Sequence, residues 1–73
     1  MERFVIYIGT EEHSDLEFGK IYKQLPDSKA EVSQYIRVVD ESGEDYLYSK
    51  KWFEPVQLTQ RTVDAYKKLI ATA

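Results

Sequence analysis

Cysteine is absent from this 73-residue chain, glycine occurs three times, proline twice and histidine once. Without cysteine there is no disulfide to stiffen the fold and no thiolate to act as nucleophile or zinc ligand, so packing must hold the chain together. The longest apolar run, Phe4 to Ile8, falls far short of the roughly 20 residues a membrane helix needs. Positive charge is also scarce. Ten Lys and Arg stand against 13 Asp and Glu, a formal net charge of −3 with a pI near 5.0. Neutralising phosphates requires a basic surface, so nucleic acid is not expected as a partner. Met1-Glu2-Arg3 leads into the apolar run without signal-peptide design, and the expectation is a cytoplasmic protein with no membrane contact. With 42% hydrophobic and 32% charged residues, the chain is too apolar for a disordered segment. Its length fits one domain, residues 1–73.

Charge is spread unevenly. Residues 1–18 carry a net −4, concentrated in Glu11, Glu12, Asp15 and Glu17, whereas residues 59–73 carry +2. The acidic stretch Thr10 to Glu17 has no sustained periodicity and reads as a loop. Most of the remainder reads as short strands. Phe4 to Ile8 is β-branched and aromatic, with Gly9-Thr10 as its stop. Lys20 to Leu25 alternates, with Ile21 and Leu25 expected inward and Tyr22 outward, and Pro26-Asp27 ends it. Ser28 to Gln34 fits either a turn of helix or an irregular loop. Tyr35 to Asp40 alternates with Ile36 and Val38 inward and Arg37 outward. Glu41 to Glu44 makes a tight hairpin in which Gly43 takes the left-handed conformation, and Asp45 to Tyr48 follows with Leu47 expected inward. Ser49 to Phe53 suits one 3₁₀ turn, and Glu54 to Leu58 a last strand that Pro55 confines to an edge or a strand end. The tail differs in kind. Val63, Tyr66, Leu69 and Ile70 recur at helical spacing behind a candidate N-cap, Thr59, with Lys67-Lys68 near the C-terminus.

Five short strands make too small a sheet for a sandwich, and partial closure is an economical way to protect edges. The order of acidic loop, hairpin, 3₁₀ turn and last strand is that of an SH3-like barrel. The expected fold is therefore mainly β: a five-stranded, partly open SH3-like barrel over residues 1–58 and one C-terminal helix over 59–73. The runs Gly19-Lys20-Ile21-Tyr22, Leu25-Pro26-Asp27, Ile36 to Tyr48 and Phe53-Glu54-Pro55-Val56 resemble a family of small bacterial proteins with the pattern GKxY, LPD, YIRVxDESGEDYLYP and FxPVxL. The resemblance spans residues 16–58 and implies a stand-alone SH3-like barrel with no settled activity. Ser49 stands where that family usually carries proline.

Neither candidate for chemistry is persuasive. His13 lies in Glu11-Glu12-His13-Ser14-Asp15, but sequence neighbours rarely converge into a triad, and zinc would want further ligands at set spacing, so a solvated acidic loop is the simpler reading. Asp40-Glu41-Ser42-Gly43-Glu44-Asp45 gathers four carboxylates but lacks the alternate ligand spacing of a calcium loop, and turn chemistry accounts for it. No enzyme activity, cofactor or metal is expected.

Aromatic residues are the stronger signal: six Tyr, three Phe and one Trp exceed what one small core needs. Tyr7, Tyr46, Tyr48 and Trp52 are candidates to line a peptide groove of the SH3 kind, with Glu11, Glu12 and Asp15 offering charge to a basic ligand residue. The competing account is that Tyr packs half-buried with its hydroxyl in water. The leading expectation is a protein-interaction module, either monomer or weak homodimer. One alternative is an accessory subunit that assembles through its C-terminal helix. A nucleic-acid-binding barrel using Lys20, Lys23, Arg37, Lys50 and Lys51 is disfavoured by the acidic balance.

Overall fold

β-branched and aromatic residues at period two build five strands in the computed structural model, which describes residues 2–10 and 13–72, the last four by backbone only. In chain order these are β1 (Arg3–Tyr7), β2 (Ile21–Leu25), the short helix α1 (Ser28–Val32), β3 (Tyr35–Val39), β4 (Asp45–Ser49), a 3₁₀ turn (Lys50–Trp52), β5 (Phe53–Val56) and the helix α2 (Gln60–Thr72). The strands form one antiparallel sheet in the order β4-β3-β2-β1-β5.

The sheet is not closed into a barrel, which corrects the expected architecture. β4 and β5 are its opposite edges, and the chain crosses from one to the other through the 3₁₀ turn without pairing them. Side chains occupy the space between: the Tyr48 ring lies 6.1 Å from Phe53 and 6.2 Å from Trp52, and Tyr7 lies 5.5 Å from Phe53.

The concave face holds the core of Val5, Tyr7, Tyr22, Ile36, Val38, Tyr48 and Phe53, with Leu16 of the long loop laid over it. Ile36 and Val38 point inward as expected. On two strands the expected facing is reversed. Tyr22 is buried while Ile21 is only half-buried, and Tyr48 is buried while Leu47 is 48% exposed. The cause is that apolar residues occupy both faces. α2 lies over the convex face at β1, where the Phe4 and Tyr66 rings meet edge to face at 5.3 Å, Val63 is buried, and Lys67 pairs with Glu2 at 2.9 Å. An apolar residue can therefore face the core, the helix over β1 or, as Leu47 does on β4, the uncovered part of the convex face, and alternation alone does not say which.

The turns follow their local chemistry. Asp27 caps α1, its side chain accepting from the Ala30 N–H at 3.1 Å, so Ser28 to Val32 is a helix rather than an irregular loop. Thr59 caps α2 through the Thr62 N–H at 3.2 Å, as its position predicts. Leu69 and Ile70 of the predicted helical stripe lie outside the described side chains. Gly43 takes φ +83° in the hairpin, as expected. Pro55 sits on edge strand β5, where its missing N–H removes no ladder bond.

Gly9 is required for a different reason. A Cβ built there would stand 2.5 Å from Tyr7 Oη and 2.6 Å from its ring, and that ring is fixed in the core. Gly9→Ala is expected to lower stability by about 1–3 kcal/mol, the usual range for overpacking, measured by urea unfolding.

Candidate functional site

Two consecutive carboxylates at the start of the hairpin answer two buried tyrosines. Tyr48 Oη donates to Asp40 Oδ2 at 2.6 Å, while Asp40 Oδ1 accepts from the Ser42 N–H at 2.9 Å and from the Ser42 hydroxyl. Tyr22 Oη donates to Glu41 Oε2 at 2.6 Å and accepts from the Glu17 N–H at 2.7 Å, and Lys20 Nζ reaches Glu41 at 2.6 Å. The Glu41 N–H donates to the Asp15 carbonyl at 3.0 Å, tying the long loop to the hairpin. Burial first, then the neighbouring carboxylate, push both tyrosine hydroxyls well above their ordinary range. Lys20 and then Tyr22 lower the Glu41 carboxyl. Burial on its own would raise Asp40, but the bonds from Ser42 and Tyr48 outweigh it and the carboxyl lies below its usual value. These two carboxylates are committed to structure, and among the described residues no group of three or more His, Asp or Glu is placed to hold a metal ion.

The aromatics proposed as a groove do not share one open surface. Tyr7 and Tyr48 are in the core at 2% and 7% exposure, because both lie on the concave face of their strands. Trp52 is half-buried at the end of the 3₁₀ turn, against Tyr7, Tyr48 and the His13 ring. Tyr46 alone among them is exposed, its hydroxyl donating to Glu44 at 2.9 Å. Asp15 is half-buried beside His13, whose Nδ1 accepts from the Asp15 N–H at 3.1 Å. Glu11 and Glu12 lie outside the described residues. Three of the five basic residues considered for a nucleic-acid surface are held by carboxylates. Lys20 pairs with Glu41, Lys23 with Glu2, and Arg37 with both Asp27 and Asp45.

What the open sheet does provide is a cleft of about 590 Å³ at one end of the concave face. Val5, Ile36 and Phe53 form its apolar floor, and Arg3, Glu31, Lys50, Lys51 and Glu54 stand around its rim. Arg3 and Glu31 pair across the rim at 3.2 Å, whereas Lys50 and Lys51 have no ion pair among the described residues. Gln34 borders the same cleft in the left-handed conformation, φ 67°, and its carbonyl accepts from the Lys50 N–H at 3.0 Å, fixing the 3₁₀ turn against the end of α1. Sequence reasoning missed this site. The cleft depends on the sheet staying open, and a left-handed glutamine carries no turn signature.

No family model, curated protein or solved structure matches the chain. No helix among the described residues is long and apolar enough to cross a membrane.

The tyrosine–carboxylate pairs set both limits of a pH window. Asp40 and Glu41 have depressed folded-state pKa values, so their contribution is complete above the ordinary carboxylate range, about pH 4.5, and fades as pH falls through the depressed values. Tyr22 and Tyr48 have raised values, so theirs is complete below about pH 10 and is lost as pH climbs above it. Chemical unfolding across pH should show a plateau between these limits. Tyr48→Phe leaves Asp40 without a buried donor and is expected to cost about 1.5–3 kcal/mol at neutral pH. The same variant should flatten the acid limb of the profile.

Proposed function

We propose that this chain is a small SH3-like interaction module that binds a protein segment and carries no catalytic activity. The strand order β4-β3-β2-β1-β5, with a 3₁₀ turn between the two edge strands, supports the SH3-like reading. The observation that carries the binding role is the cleft, which joins an apolar floor to two lysines that have no ion pair among the described residues, on a protein of net charge −3. Pockets of this kind take a ligand by burying one apolar group and orienting it with a few polar contacts. The fitting ligand is an extended segment with an apolar side chain for the floor and an acidic side chain for Lys51. The carboxylates paired with the tyrosines leave little for acid–base chemistry, since Asp40 and Glu41 are held by hydroxyls and Lys20.

Selection from a displayed random peptide library should enrich sequences that place an acidic residue close to an apolar one. In NMR titrations such peptides are expected to shift the signals of Val5, Ile36 and Phe53. Lys51→Glu is expected to weaken binding by about tenfold while leaving the thermal midpoint unchanged. No enrichment, or shifts confined to another surface, would overturn this reading.

A further inference from the structure

The two edges of the sheet are not alike. Ile8 N donates to the Trp52 carbonyl at 2.8 Å, which, with the β1–β5 register, directs the backbone groups of Glu54 and Val56 to β1 and those of Phe53 and Pro55 to the open side. Pro55 has no N–H, so this edge is blunted. At the other edge, Asp40 N donates to the Glu44 carbonyl at 3.1 Å and Lys50 N to the Gln34 carbonyl at 3.0 Å. That phase directs Tyr46 and Tyr48 to β3 and leaves the N–H and C=O of Asp45, Leu47 and Ser49 facing outward. β4 contains no proline and no lysine, and Leu47 and Tyr46 are 48% and 49% exposed on it. α2 lies over β1, so it does not shield this edge.

We infer that β4 pairs antiparallel with β4 of a second copy of the chain, with Leu47 at the two-fold axis, giving one ten-stranded sheet. In this register the two Leu47 residues exchange both backbone hydrogen bonds, Asp45 lies opposite Ser49, and Tyr46 lies opposite Tyr48. Just beyond the strand ends, Glu44 of each copy meets Lys50 of the other, giving two opposite-charge contacts. Registers centred on Tyr46 or Tyr48 also pair outward-facing residues but separate Glu44 from Lys50, and the other two registers with an exchanging pair on the axis are worse. Centring on Asp45 sets that carboxylate against itself, and centring on Ser49 runs the pairing into the 3₁₀ turn. A C2 contact needs a surface complementary to itself, and Asp45 to Ser49 with its flanking Glu44 and Lys50 meets that condition.

Sedimentation equilibrium over a wide concentration range is expected to show a monomer–dimer equilibrium that weakens with added salt. The Leu47 amide, directed away from β3, is expected to gain protection from hydrogen exchange as concentration rises. Leu47→Lys places two like charges at the axis on an already exposed position. It should abolish the dimer and leave the thermal midpoint of the monomer in place. Glu44→Lys is expected to weaken association by about tenfold, and Glu44→Lys with Lys50→Glu to restore it. A chain that remains monomeric at millimolar concentration overturns the inference. So does a dimer that survives Leu47→Lys, or one in which the Leu47 amide exchanges at the monomer rate.

Discussion

Two of the three phenol groups drawn into the core, those of Tyr22 and Tyr48, each needing a partner for its hydroxyl, constrain this fold more than any other feature. A buried hydroxyl left unanswered costs on the order of 1–3 kcal/mol, a serious loss for a chain with so little interior. Asp40 and Glu41 meet the need from adjacent positions, one reaching Tyr48 and the other Tyr22. Because the two tyrosines sit on strands at different places in the sheet, the dipeptide links β4 to β2 across β3. Its backbone also holds the long loop at Asp15. The hairpin is thus the point at which loop, sheet and core are joined, and its acidic character serves packing.

The strands, the hairpin, the 3₁₀ turn and the capped C-terminal helix were all legible in the residues, because each rests on local chemistry: Gly43 in its left-handed turn, Thr59 at its N-cap, Ile36 and Val38 on one face. Facing was legible only where a single side of the strand is apolar. In β2 and β4 both sides carry large side chains, and what decides between them is a hydrogen bond to a residue about twenty positions away in one case and eight in the other. Such a long-range partner leaves no periodic trace. The candidate groove failed for the same reason, since Tyr7 and Tyr48 looked surplus to the core until their neighbours were in place. The cleft was invisible because it follows from the sheet not closing, a property of the whole molecule.

An open sheet of this size has to manage two edges and one incompletely covered concave face. The chain treats them differently. Pro55 blunts β5, Leu16 and the loop cover one end of the concave face, and the other end is left as a cleft between α1 and the 3₁₀ turn. The convex face is covered at β1 by α2 but carries Leu47 and Tyr35 in the open over β3 and β4. Protection is concentrated on the β1–β5 side of the molecule, and accessible apolar surface on the β3–β4 side.

Trp52 has a practical consequence. It is the sole indole, half-buried, 6.4 Å from the His13 ring on the long loop and 6.2 Å from Tyr48 in the core. Its fluorescence therefore originates at the junction of loop, turn and sheet. Lifting the loop would change the quenching and polarity around that one fluorophore, so the native chain carries its own optical gauge of loop seating without any attached dye.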